Sequence, residues 1–313
     1  MNRPFFHRRI GGAITALITP FRDGVFDAVD MMAHVEWQLL SGVDGLLVCS
    51  LTGEGPTLTE AERIRAIEIC IELAEDRLPV IVATGTNDTA TTMEETIQAQ
   101  RLGADAAFVT VPYYSKPTQK GVLHHFEQLA AQTELPIIVH NQPSHTAIDL
   151  APATVARLAE IRGIIGIADS SGDISRVDRW RSLLPERFGL YTSNDASALA
   201  FTVAGGHGCF SDAANIVPRL FQSMQHSAVC GHLAASRSID ERLQPLFNAL
   251  SRESEPATVK HALSLVRYIG ADVRLPLVGV ASETAAAIQA AVTPFQLDGS
   301  GRFASRQTFR PGL

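Results

Sequence analysis

The sequence predicts an α/β protein, a closed (β/α)8 barrel (TIM barrel) with additional C-terminal helices. Three observations carry that prediction. Eight short, almost continuously apolar runs recur between Ala13 and Phe210, as parallel strands covered on both faces require. Amphipathic helical segments separate the runs, which is the alternation of a parallel β/α sheet. After about Asn215 the pattern is helical only, and one of those helices suffices to complete an eighth β/α unit. An open doubly wound sheet is the runner-up, weakened because no glycine-rich dinucleotide fingerprint follows the first run.

Taken in order, the expected strands are Ala13–Ile18, Gly45–Cys49, Val80–Thr84, Ala106–Val111, Ile137–His140, Ile164–Ala168, Phe188–Thr192 and Gly208–Phe210. Thr59-Glu60-Ala61-Glu62 reads as a capping box, with Ile64, Ile67, Ile71 and Ala74 expected to form the apolar stripe of the helix it opens. Val122, Phe126 and Leu129 mark the helix before the fifth strand, and Val155 and Leu158 the one before the sixth. The late helices are expected near Val217–Cys230, Leu233–Leu250, Thr258–Ile269 and Glu283–Val292. This divides the chain into an N-terminal extension (1–10), the barrel (11–225), a C-terminal helical segment (226–292) and a polar tail (293–313). The tail is rich in glycine and arginine without periodicity, which suits a loose end or an arm on a neighbouring subunit.

A hydrophobic content of 46% against 19% charged residues suits one large core. The formal net charge of −7 gives no electrostatic reason to expect nucleic acid or an anionic membrane as partner. Cys49, Cys70, Cys209 and Cys230 lack metal-type spacing, and Cys49 and Cys209 read as small buried side chains in strand-like runs. Met1–Ile10 contains three arginines but no apolar stretch after them, and no run reaches membrane-spanning length. The expectation is a cytoplasmic protein without metal or cofactor.

Chemistry is expected where the strands end. Ile164–Ala168 switches abruptly to Asp169-Ser170-Ser171-Gly172. Ser50-Leu51-Thr52-Gly53-Glu54-Gly55 follows the second strand, where glycines and small residues can present backbone N–H groups to a carboxylate. From its residues alone an ordinary βα turn is the preferred reading of that stretch, since such turns are common. Pro112-Tyr113-Tyr114-Ser115-Lys116-Pro117-Thr118-Gln119 follows the fourth strand, its phenols either rim residues or hydrogen-bonding groups at a pocket mouth. His140-Asn141-Gln142-Pro143-Ser144-His145-Thr146 follows the fifth. Its two histidines are more often loop residues than metal ligands, since no carboxylate stands at helical spacing to complete a site.

From about Arg9 to Val292 the chain resembles the dihydrodipicolinate synthase / N-acetylneuraminate lyase family. In that family the sixth strand ends in a lysine that forms a Schiff base with a 2-keto acid, and the acidic-small-small-glycine run follows it. Here the run is present, but Ala168 stands in the lysine's place. The family's carboxylate loop is matched at Thr52, Gly53 and Glu54, whereas the first hydroxyl of its proton relay is Leu51. The tyrosine-tyrosine run is matched closely, and the resemblance implies that Tyr114 reaches across a dimer interface. The family's proton-shuttling tyrosine is His140 here, and an arginine that some members use for a dicarboxylic substrate is His145. Ala204-Gly205-Gly206-His207-Gly208 matches the eighth strand, with Phe210 where a smaller aliphatic residue usually faces the keto acid. Pro256–Lys260 and Arg274–Leu277 match the family's C-terminal helices.

The resemblance thus implies a lyase-type barrel that assembles as a homo-oligomer, a dimer of dimers. It would bind a small 2-keto acid or another small carboxylate through Thr52, Gly53, Leu51, His145, Asp169, Ser170 and Phe210. Tyr114 and His140 would occupy catalytic positions, and Ala168 an inert one. The other lysines, Lys116, Lys120 and Lys260, are not obvious substitutes, since a Schiff-base lysine needs a desolvated place at the barrel mouth. Four readings stay open: an altered family member, an engineered inactive aldolase, a barrel with an assembly or regulatory role, and a metal-dependent lyase using His140, His145 and Asp169. Leu51 and Phe210 argue against the engineered version, because disabling one residue does not call for changing those.

Overall fold

In the computed structural model, residues 10–267 and 269–297 are described. The expected extension (1–10) and tail (293–313) lie mostly outside them. Eight parallel strands close into a barrel: β1 Gly12–Ala16, β2 Gly45–Val48, β3 Val80–Ala83, β4 Ala106–Thr110, β5 Ile137–Asn141, β6 Ile164–Asp169, β7 Gly189–Thr192 and β8 Gly208–Ser211. Closure occurs where β1 pairs with β8, Ile14 beside Phe210.

The continuous apolar runs are explained by two cores sharing each strand. Ile14, Ala16, Leu47, Ile81, Ala83, Phe108, Ile138, Ala168, Tyr191 and Phe210 pack inside the barrel. Alternate residues such as Leu46, Val48, Val80, Val82, Val109, Val139, Ile167 and Leu190 pack beneath the surrounding helices. Inward and outward positions therefore alternate with period two, although both are apolar.

Eight helices complete the β/α units: α1 Ala28–Ser41, α2 Glu60–Ala74, α3 Thr89–Leu102, α4 Gln119–Gln132, α5 Pro152–Glu160, α6 Ser175–Leu183, α7 Ala198–Val203 and α8 Pro218–Val229. The capping box of α2 forms, the Thr59 side chain accepting from the Glu62 N–H and Glu62 accepting from the Thr59 N–H. Its buried face is Arg63, Ala66, Ile67, Cys70 and Ala74. Ile64 and Ile71 are only half-buried, so the expected stripe is turned by about one residue. The guanidinium of Arg63 is what faces inward, a position no hydrophobic pattern marks.

Three more helices follow, α9 Leu233–Leu250, α10 Glu255–Val266 and α11 Ser282–Leu297. Leu243, Leu246, Phe247, Val259, Leu263, Ile288 and Val292 form a further core with Phe221 and Met224 of α8. The expected boundaries at 225/226 and 292/293 fall inside α8 and α11. Amphipathic helices in series carry no sign of which one seals the barrel, and we place that division after Val229. No helix among the described residues is long and apolar enough to cross a membrane.

Two glycines make room for the largest ring of the barrel floor. A Cβ on Gly189 would come within 2.6 Å of Tyr191 Cζ, and one on Gly166 within 2.8 Å of Tyr191 Cε2. Gly189→Ala should lower the unfolding free energy by about 1–3 kcal/mol, the usual cost of overpacking. The loss should shrink in a Tyr191→Leu background. Denaturant titration of both single variants and the double variant measures that coupling, and additive effects would show that the ring is not the obstacle.

Candidate functional site

The strands deliver polar side chains to one end of the barrel, where a cavity of about 140 Å³ opens. That is the size class of a protein cavity that accepts a benzene-sized ligand. Its lining includes Ser50, Leu51, Thr52, His140, Phe210 and Asp212, together with Arg63 and Glu95.

The loop after β2 is tightly wound. The Glu54 N–H donates to the Leu51 carbonyl (2.8 Å) and the Gly55 N–H to the Ser50 carbonyl (3.0 Å). A Cβ on Gly53 would lie 2.9 Å from the Leu17 carbonyl oxygen, so this close approach of backbones requires glycine there. The turn aims Thr52 Oγ1 at Asp212 Oδ1, to which it donates at 2.6 Å. Glu54 turns the other way. Its buried carboxylate pairs with Lys260 Nζ and accepts the Arg274 N–H at 2.8 Å.

His140 is the penultimate residue of β5, level with Thr110 on β4 and Ala168 on β6. Its ring bridges two hydroxyls, Nδ1 to Thr110 Oγ1 and Nε2 to Ser170 Oγ, both at 2.9 Å. Burial, with a smaller contribution from His145, pushes its pKa down to about 3, so the imidazole is neutral at physiological pH. A neutral imidazole between two hydroxyls can take a proton on one nitrogen while releasing one from the other.

Ala168 is fully buried in the barrel interior. Phe210 packs against Phe108 with ring centroids 4.6 Å apart, and Phe108 against His140 at 4.5 Å. The aromatic side chains thus fill the interior below the cavity. None of the three lysines lines the cavity; Lys116 and Lys120 are exposed, and Lys260 is buried with Glu54.

The remaining expected residues sit apart from the cavity lining. Asp169 accepts from Asn141 Nδ2 (2.7 Å) and from Ser171, with Arg176 Nη1 3.5 Å away. Burial raises its carboxyl above the ordinary range. It orders the loop after β6, while Ser170 reaches the site through His140. His145 is exposed on the short helix Pro143–Thr146, its Nδ1 3.0 Å from Ser144 Oγ. Tyr114 projects outward, 89% exposed, at a left-handed φ of 68°. Gly53 contributes backbone geometry to the loop. Among the described residues no three His, Cys, Asp or Glu side chains assemble as a metal site, so His140, His145 and Asp169 do not converge.

Three site residues escaped the sequence reading. Arg63 Nη2 is 2.8 Å from Glu95 and donates to the Ala83 carbonyl at 2.6 Å. These two residues lie on different helices, and no local pattern joins them. Asp212 did carry a signal, as the polar residue directly after β8. Burial, Asp195 and Glu255 push its carboxyl well above the usual range. Burial likewise raises Asp195 to about 6.

Arg274 ties the C-terminal segment to α2 through both Glu62 oxygens, at 2.5 and 2.7 Å. This pairing lowers the Glu62 pKa from 4.5 to about 2. A depressed carboxyl pKa stabilises the fold above the unfolded value and loses that contribution as pH falls through the folded value. Glu62→Gln should therefore cost about 1–2 kcal/mol at neutral pH. The gap from the parent should close between about pH 4.5 and pH 2. Denaturant unfolding across that range checks this, and a gap independent of pH would contradict it.

Comparison with known proteins places this geometry among relatives. The profile of the dihydrodipicolinate synthetase family matches residues 9–295. A 4-hydroxy-tetrahydrodipicolinate synthase of Methylobacterium radiotolerans is 42% identical over 276 residues, 88% of this chain and 92% of the relative. One from Sphingopyxis alaskensis is 40% identical over 282 residues, 90% of this chain and 97% of the relative. The dihydrodipicolinate synthase structure from Thermotoga maritima aligns with a TM-score of 0.88 at 35% identity, covering 91% of this chain and 98% of that one. The chloride-inhibited enzyme of Acinetobacter baumannii, solved with pyruvate, aligns at 0.89 and 35% identity, with the same coverage of 91% and 98%.

Proposed function

The chain belongs to the dihydrodipicolinate synthetase family, and we propose that within it this protein binds a small 2-keto acid or related small carboxylate without forming the family's Schiff base. The observation that carries this reading is Ala168. It stands at the end of β6, where the family resemblance puts the lysine, and it is fully buried. A covalent imine is the electron sink that makes the carbon next to the carbonyl acidic. Without an amine at that point the family's carbon–carbon chemistry has no route.

The other roles follow from placement. Thr52 and the loop shaped by Gly53 would hold the carboxylate, as in the family. Leu51 lines the cavity but offers no hydroxyl to a proton relay. His140, bridging Thr110 and Ser170, would be the remaining proton-transfer group. Phe210 would limit the ligand's apolar end, Asp169 would position the Ser170 loop, and His145 would stay at the rim. A second reading, a catalytically silent homologue kept for binding, regulation or assembly, is favoured by the same Ala168. It predicts that no ligand is turned over.

Incubation with pyruvate and borohydride, followed by intact-mass measurement, should show no adduct. A stoichiometric adduct on Lys116, Lys120 or Lys260 would overturn the reading. Ala168→Lys should restore an adduct, while Leu51 and His140 keep turnover at least tenfold below that of an unaltered relay, a loss of about 1.4 kcal/mol or more in transition-state stabilisation.

We also propose a homo-oligomer, a dimer of dimers, in which Tyr114 approaches a second subunit. Its support is the exposure of an aromatic ring held in left-handed backbone. Analytical ultracentrifugation at micromolar concentration should show an assembly that Tyr114→Ala weakens. A monomer would remove the role of Tyr114.

A further inference from the structure

Asp212 follows β8 directly and lines the cavity together with Ser50 and Thr52. Its Oδ1 is occupied by the Thr52 hydroxyl, which donates to it at 2.6 Å. Two further carboxyls, Asp195 and Glu255, act on Asp212. Asp195 approaches from the end of β7, accepting the Ala213 N–H at 2.8 Å and lying 3.8 Å from the Cys209 thiol. Glu255 approaches from the start of α10. The guanidinium that lines the cavity, Arg63, is tied to Glu95 and the Ala83 carbonyl instead.

Two neighbouring carboxyls, each half-buried and without a neutralising cation, resist ionising together near neutral pH, since each disfavours the other's charge. The pair keeps a proton. With Oδ1 accepting from Thr52, the proton on Asp212 belongs on Oδ2. A carboxylic acid held neutral by its neighbours is a strong hydrogen-bond donor.

An independent observation points to a ligand. Ser50 lines the same cavity, is only 8% exposed, and its buried Oγ has no partner. Arg63 lines it too, and its Nε is likewise buried and unpartnered. A buried hydroxyl without a partner costs about 1–3 kcal/mol, which an entering acceptor would recover.

We propose that Asp212 binds the ligand as a carboxylic acid, its Oδ2–H donating to an oxygen of a small monocarboxylate to which Ser50 Oγ–H also donates. This rests on the carboxylate-binding reading and deepens it. The family resemblance supplies a lysine for recognition of the keto acid; here an acid takes up that task from the end of β8, two strands away in the barrel. The site therefore prefers a monoanion over a dianion, because a second negative charge would face Glu255 and Asp195. No bond to the protein forms, and the proton stays shared between Asp212 and the ligand.

The test is calorimetric titration of the full chain with pyruvate, and with the dicarboxylate oxaloacetate, between about pH 6 and pH 9. Pyruvate affinity should fall about tenfold per pH unit once the acid pair loses its proton, and oxaloacetate should bind more weakly than pyruvate. Asp212→Asn, which donates an N–H at any pH, should still bind and lose that pH dependence. Asp212→Ala should bind at least tenfold more weakly at pH 7. Infrared difference spectra give a readout that needs no ligand: the unliganded protein at pH 7 should show a protonated-carboxyl stretch that Asp212→Asn removes. If that band is absent, or if pyruvate affinity follows the same pH profile in Asp212→Asn, the proposal is overturned while carboxylate binding stands. Affinity that rises with pH overturns it too. If the band is present but neither carboxylate binds, the carboxylate reading itself fails, and the proposal with it.

Discussion

The buried pair between Glu54 and Lys260 is the interaction on which the site's geometry depends. Lys260 is fully buried. Its Nζ donates to Glu54 and to the Asp272 carbonyl at 2.8 Å, and lies 4.0 Å from the centre of the Phe21 ring. Burial lowers its pKa to about 8 even with the carboxylate alongside. A charge so placed is tolerated only because its donors are satisfied; removing one partner of such a pair typically costs about 3–5 kcal/mol. Because Glu54 belongs to the loop that presents Thr52, the C-terminal helices and the mouth of the barrel are one mechanical unit. Arg274 extends the junction, linking that loop to Glu62 on α2 and to the Gly24 carbonyl.

This junction clarifies the lysine chemistry. A lysine with a depressed pKa often marks a covalent nucleophile. Here the depressed value belongs to a side chain enclosed by Glu54, Phe21 and backbone, away from the cavity. The cavity holds carboxyls, hydroxyls and a neutral imidazole instead. Its polar groups suit hydrogen bonding and proton relay, and Phe108 packs against Phe210 beside them.

The fold was legible because it is written in local terms. Apolar runs of strand length, helical periodicity between them and the Thr59–Glu62 capping box are set by residues within a few positions of each other. The site was legible only in part. Thr52, Leu51, His140 and Phe210 fall on strand ends or the loops directly after them, and all four line the cavity. Asp169 ends β6 and His145 follows β5, yet Asp169 turns to Asn141 and Ser171 while His145 is exposed. Proximity in sequence to a strand end does not decide the direction of a side chain.

By itself the sequence determined the barrel, the order of its elements, and the lack of a lysine at the end of the sixth strand. Those are statements about residue type and spacing, which persist however the parts are arranged. Only the tertiary structure decided that Glu54 faces Lys260 across 206 positions, that Thr52 reaches Asp212 across 160, and that Arg63 turns inward to meet Glu95. Each is a contact between polar groups that separate strands and helices bring together. Charge and dielectric act through space, so the protonation of this cavity is a property of the folded barrel.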